Sequence, residues 1–144
     1  WDQMGETLKL DRVSVLDVVL SEVSRNEDEL SEWLNSIDGV HQATVRIPEI
    51  VRNYGLVLEY VQKSGYYTDA ALRDWARDDI ADPWLIATAM ETGATIITIE
   101  QKAGSLSTKN PSKNAKIPDV AEHFEVKCRD LFYYMRQMGF RLNK

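Results

Sequence analysis

The chain predicts an α/β fold, a mostly parallel sheet flanked by helices, and three observations carry that expectation. Short apolar, β-branched runs alternate with stretches of helical periodicity, the order that joins parallel strands by helical crossovers. The stretch from Ala81 to Glu100, ADPWLIATAMETGATIITIE, sets one such helix and strand back to back. Within it, Ala94 to Ile99 reads as an unbroken apolar, β-branched strand of the kind covered on both faces.

In chain order, Trp1 to Glu6 reads as the end of a helix and Leu8 to Leu10 as an extended piece. Ser14 to Val23 predicts a helix with Val15, Leu16, Val19, Leu20 and Val23 on one stripe, and Glu22 borders that stripe. Asn26 fits an N-cap with Glu29 reaching back to it, opening a helix of Leu30, Trp33, Leu34 and Ile37 that stops at Gly39. Gln42 to Ile47 alternates weakly, as a strand does. Pro48 begins the longest helix, with Ile50, Val51, Tyr54, Val57, Leu58 and Val61 on its core face and Gly65 as its end. A further helix spans Asp69 to Arg77, burying Leu72 and Trp75.

In the central unit, Asp82 fits an N-cap and Pro83 the first helical position, which has no N–H bond to lose. Leu85, Ile86, Ala89 and Met90 follow at helical spacing, and Gly93 sits where a left-handed cap ends the helix. A helix of this size is roughly 16 Å long and its strand roughly 20 Å. The chain therefore descends one and climbs the other, and Asp82 and Glu100 are expected at the same carboxyl edge of the sheet. That edge is where open α/β sheets bind ligands. Two acids brought together there repel unless a cation or a shared proton sits between them, and oxygen-only ligands suit magnesium or manganese.

Gln101 to Ala115 is a loop of Gly, Ser, Thr, Asn, Lys and Pro; loops this long in compact domains tend to be functional or mobile. Asp119 opens a short helix with Val120, Ala121 and Phe124, Glu125 to Cys128 predicts an edge strand, and Asp130 to Met138 the closing helix, with Gly139 as its stop.

At 144 residues, 44% hydrophobic and 28% charged, the chain is expected to form one domain over residues 1–144. No window has the apolar run of a membrane span and no segment reads as a signal peptide. One cysteine, Cys128, permits no internal disulfide, so a cytoplasmic location is expected; it reads as a small buried residue on a late strand. The net charge of −6 argues against coating nucleic acid by bulk electrostatics, but not against a nuclease whose metal bridges the substrate phosphates. Lys102, Lys109, Lys113 and Lys116 make the segment after Glu100 locally basic, either a solvated loop or a phosphate-steering surface beside the acidic pocket. His41 and His123 lack zinc or triad spacing, no dinucleotide, P-loop or serine-hydrolase motif is present, and Trp33, Trp75 and Trp84 read as core anchors.

An Asp opening a helix that reads D-x-x-I-A-x-A, then Gly, then an apolar strand closing on Thr-x-acid, resembles the third and fourth acidic positions of PIN-domain nucleases. The tail KIPDVAEHFEVKCRDLFYYMRQMGFRL (Lys116 to Leu142) and the stretch VVLSEVSRNEDELSEW (Val18 to Trp33) resemble a bacterial PIN-like family, with Glu22 at the second acidic position. The resemblance covers nearly the whole chain. It implies a three-layer sandwich, with Glu22, Asp82 and Glu100 binding Mg²⁺ or Mn²⁺ and Thr98 orienting a water or a ligand carboxylate. Asp79 and Asp119 are second-tier candidates. Glu stands at position 100 where the family pattern has Asp, a side chain one methylene longer. PIN folds also place a first strand centrally and deliver an acid at its end. The sequence opening at Trp1 leads to the expectation of a sheet lacking that strand, completed by an upstream segment, by rearrangement or by the strand of a homodimer partner. The reaction implied is metal-dependent cleavage of RNA, in an enzyme that acts as the toxin of a toxin–antitoxin pair. The second reading is a non-catalytic PIN-like scaffold whose dimer surface does the work.

Overall fold

The computed structural model describes residues 13–17, 19, 32–33, 42–43 and 47–137. In chain order these carry strands β1 (Val15–Leu16) and β2 (Gln42–Ala43), helices α1 (Pro48–Lys63), α2 (Asp69–Trp75) and α3 (Asp82–Thr92), strand β3 (Ile96–Ile97), helix α4 (Ile117–His123), strand β4 (Cys128–Arg129) and helix α5 (Leu131–Gln137). The architecture is α/β, and both described ladders are parallel: β1 with β2, and β3 with β4. The expected segments 1–6 and 8–10, and Gly139, lie outside the described residues. So does the helix from Asn26 to Gly39 apart from Glu32 and Trp33, which are helical.

The core is built around α3. Pro83, Trp84, Ile86, Ala87, Thr88 and Ala89 are all buried, so the helix is covered on every side and not along one stripe. Val57 and Val61 of α1, Trp75 of α2, Ile96 of β3 and Val120 and Ala121 of α4 close one cluster with Ile86 and Ala89. Leu16 of β1 and Ile50 of α1 close a second with Trp84 and Ala87. Tyr54 stacks on Trp84 with ring centroids 4.0 Å apart, and Asn53 Nδ2 donates to the Ala87 carbonyl at 3.1 Å, joining α1 to α3 by both packing and a hydrogen bond. The buried Thr88 hydroxyl is satisfied within its own helix, donating to the Trp84 carbonyl at 2.8 Å. Trp75 and Trp84 are thus core anchors, as expected.

Several boundaries differ from expectation, each for a local reason. Of the helix expected over Ser14 to Val23, Asp17 and Val19 are helical and Val18 and 20–23 lie outside the described residues, but Val15 and Leu16 are a strand; they pair with Gln42 and Ala43 while Leu16 buries against Trp84, so tertiary pairing outweighs the stripe there. Val51 is exposed although the periodicity placed it on the core face. The cap of α3 is Ala81, in helical conformation, with Asp82 as the first helical residue and Pro83 the second. Gly93 closes α3 as expected, at φ 73° with its N–H on the Ala89 carbonyl. The strand expected over Ala94 to Ile99 is shortened to Ile96–Ile97 because the Thr98 hydroxyl accepts from Glu100 N–H at 3.1 Å and turns the chain. It is covered on one face only: Ile96 is 5% exposed, Ile97 39% and Ile99 85%. α4 starts two residues before Asp119, at Ile117. The last strand is Cys128–Arg129, later than Glu125 to Cys128, because a turn at Phe124 and Glu125, with Glu125 at φ 59°, ends α4 first. Asp130 caps α5, its Oδ1 accepting from Tyr133 N–H at 2.8 Å.

Residues 101–115 form no helix, yet they are pinned. Ser112 bridges Tyr67, with Thr68 N–H on the Ser112 carbonyl at 2.9 Å and Ser112 N–H on the Tyr66 carbonyl at 2.7 Å. Gly65, at φ 80°, leaves space that a Cβ would take from Thr108 at 3.2 Å.

Tyr67 is 7% exposed and its hydroxyl has no hydrogen-bond partner among the described residues. An unmade bond of this kind costs about 1–3 kcal/mol. Burial first, then the neighbouring Tyr60, Asp119 and Tyr66, raises its pKa well above that of a free tyrosine. A raised folded-state value means that the folded protein holds this proton more tightly. The associated stability is intact below about pH 10 and is lost as pH rises through the folded value. Tyr67→Phe is therefore expected to raise stability by about 1 kcal/mol at pH 7 and to flatten the alkaline decline, read as urea midpoints across pH 7 to 11.

Candidate functional site

Because β3 and β4 are parallel, their carboxyl ends leave the ladder on the same side, and a cleft of about 250 Å³ opens there. Thr98 and Glu100 enter it from the exit of β3, Gln101 and Lys102 from the segment that follows, Pro118 from α4, and Cys128, Arg129 and Asp130 from β4 and its exit. Register explains the grouping. Ile97 lies opposite Arg129, and Thr98 N–H donates to the Arg129 carbonyl at 3.0 Å, so the residues just past each strand face one another.

Glu100 is fixed by the helix behind it. Lys116, the residue before α4, makes no side-chain cap; Glu100 Oε2 instead accepts from Ile117 N–H at 2.9 Å, a capping bond supplied from seventeen residues away. Asp119, in the first turn of α4, returns the contact, its Oδ2 accepting from Ala103 N–H at 3.0 Å. Lys102 Nζ meets Glu122 Oε2 at 2.9 Å, a pair exposed on both sides and weak on its own. Together these tie the start of the 101–115 segment to α4 and hold Glu100 at the cleft. Burial pushes the Cys128 thiol pKa up, opposed by Arg129 and reinforced by Glu100, which disfavours the reactive thiolate.

Of the residues expected at the site, Thr98, Glu100 and Lys102 share this cleft. Asp82, at the start of α3, is not among its lining residues, and Glu22 lies outside the described residues. Asp79 is partly exposed and its Oδ2 meets Arg77 at 2.7 Å. Lys109, Lys113 and Lys116 are on the same chain segment but do not line the cleft, and the first two are exposed. Among the described residues, no three His, Cys, Asp or Glu side chains come together as a metal-binding group. Reading the sequence missed Arg129 and Asp130. The available signal was their position immediately after a strand that pairs with β3, but that pairing is a tertiary fact.

Asp119→Ala removes the acceptor for Ala103 and is expected to cost about 1 kcal/mol, with faster hydrogen exchange at the Ala103 amide. Asp119→Asn keeps an acceptor and should lose less.

No helix among the described residues is long and apolar enough to cross a membrane. No curated protein matches the chain, and no solved structure does. A family model matches residues 1–142, and with the parallel ladders and the cleft at their carboxyl ends in place the chain is assigned to that family, described as a domain of unknown function (DUF4411).

Proposed function

We propose that the chain is a PIN-like endoribonuclease dependent on magnesium or manganese, with its chemistry in the cleft beyond β3 and β4. The observation that carries this reading is the donor set in the cleft. Glu100 and Asp130 both line the cleft, and each accepts through one carboxylate oxygen from a helix N–H, at Ile117 and Tyr133, while no further partner of either carboxylate is found among the described residues. Hard oxygen donors of this kind suit Mg²⁺ or Mn²⁺, which commonly take one or two carboxylates and retain waters. Asp82 and Glu22 are the further acids that the sequence resemblance implies. When bound, such a metal lowers the pKa of a coordinated water and neutralises charge on a phosphodiester. The chain's own part is positional. The bond to Ile117 orients Glu100, and the Thr98 hydroxyl, which accepts from Glu100 N–H, retains its proton for an oxygen in the cleft. Asp119 keeps the segment carrying Glu100 and Lys102 against α4.

Calorimetric titration with manganese tests this reading. The wild-type chain is expected to bind saturably, with affinity at least about tenfold lower in Glu100→Gln, in line with the loss of a charged ligand. Gln at position 100 still offers a carbonyl to Ile117 N–H, so the fold stays intact. Absence of saturable binding by the wild-type chain would sink the nuclease reading.

The scaffold reading has its own support. Ile96 and Thr98 spend their N–H groups on β4, so the opposite edge of β3 belongs to Ile97 and Ile99, both with exposed side chains. Among the described residues no strand pairs with that edge, and a parallel edge of this kind suits a strand from a second copy. In that case sedimentation should give a dimer that Ile97→Lys with Ile99→Lys converts to a monomer; a wild-type monomer rules the dimer out.

A further inference from the structure

The cleft holds a cation that the proposed chemistry has not used. Lys102 is paired with Glu122, whereas Arg129 has no carboxylate partner among the described residues, although Glu100 and Asp130 line the same cleft. Its guanidinium is braced instead. Nη1 donates to the Cys128 carbonyl at 2.8 Å, and the group lies 5.7 Å from the centroid of the Tyr133 ring. Both contacts come from residues within four positions of it in sequence, at the junction of β4 and α5. Among the described residues, no further acceptor meets the remaining N–H donors of the fork, and the two contacts restrict the side chain before any ligand arrives.

We propose that Arg129 binds a phosphate of the RNA substrate and is the main phosphate-recognition residue of the cleft. This rests on the nuclease reading above. A guanidinium presents planar paired donors that match the non-bridging oxygens of a phosphodiester, which a lysine ammonium does not. Bracing lowers the entropy lost on binding. The mixed lining also follows from the proposal: the carboxylates would take a cation, the arginine would take the anion, and the phosphodiester would lie between them. Lys109 and Lys113, exposed and outside the cleft, then contribute only diffuse attraction. Arg129 is a substrate-binding residue in this account and takes no part in bond making.

The test is fluorescence anisotropy of the full chain with a labelled single-stranded RNA oligonucleotide, calcium replacing manganese so that binding is read without turnover, between 50 and 200 mM salt. Arg129→Gln is expected to weaken binding about tenfold or more and to reduce the slope of log affinity against log salt by about 0.7, the value of one phosphate contact to a single strand. Arg129→Lys should keep the slope and lose severalfold in affinity, because it keeps the charge but not the fork. Lys109→Gln should change affinity by less than Arg129→Gln. The side chain is exposed, so thermal unfolding of both arginine variants should match the wild-type chain. Wild-type affinity and slope in Arg129→Gln overturn the proposal and leave the nuclease reading standing. Failure of the wild-type chain to bind RNA at all overturns both. Equal losses in Arg129→Gln and Arg129→Lys with an unchanged slope would mean packing and not phosphate contact, and would also overturn it.

Discussion

The burial of α3 on all sides is the constraint from which the rest of the structure follows. With Trp84, Ile86, Ala87 and Ala89 all out of water, the first two turns of the helix have no solvent face, and exposure is confined to its end at Glu91 and Thr92, so other elements must cover every flank of those turns. α1 covers one side through the Tyr54–Trp84 stack and the Asn53 bond to Ala87. Ile96 and α4 cover another, and Leu16 a third. With β3 and α4 both fixed against one helix, the exit of β3 and the start of α4 fall close together. That closeness allows Glu100 to reach Ile117.

Glu100 consequently has two claims on it. One carboxylate oxygen caps α4 at Ile117, whose N–H lies in the first turn where helices lack internal partners; the residue also lines the cleft. The two are compatible, since a carboxylate held by a backbone donor is a better oriented ligand than a mobile one. Glu stands here where the family pattern has Asp, and its carboxylate touches a helix that begins seventeen residues later. The same economy recurs at Asp130, which caps α5 with one oxygen. Acids that cap helices and also line a cleft tie the stability of the fold to the electrostatics of the site.

Balance of charge in the cleft is also informative. Two acids face two bases, but only Lys102 has an ion-pair partner among the described residues, and that partner is Glu122, outside the cleft lining. The acids are spoken for by backbone N–H groups, and Arg129 by a carbonyl and a ring. Charges that are oriented without neutralising one another leave a field in the cleft, which a ligand of mixed character would satisfy better than either ion alone.

Local chemistry was legible in the order of residues. Pro48 as a helix start, Gly93 as a left-handed stop and the alternation of helices with strands all depend on neighbours close in the chain, which the sequence displays directly. Thr68 caps α2 by the same kind of local chemistry, its side chain accepting from Ala71 N–H. What required the tertiary structure were the facts set by strand register and by packing between distant segments. Val15 and Leu16 became a strand because Gln42 and Ala43 lay beside them. Ile97 and Ile99 were left exposed because only one face of β3 is covered, and Arg129 and Asp130 joined Thr98 and Glu100 because β4 pairs with β3 in one particular register. Periodicity reports which side of an element is apolar; it carries no information on which other element that side, or that edge, will meet.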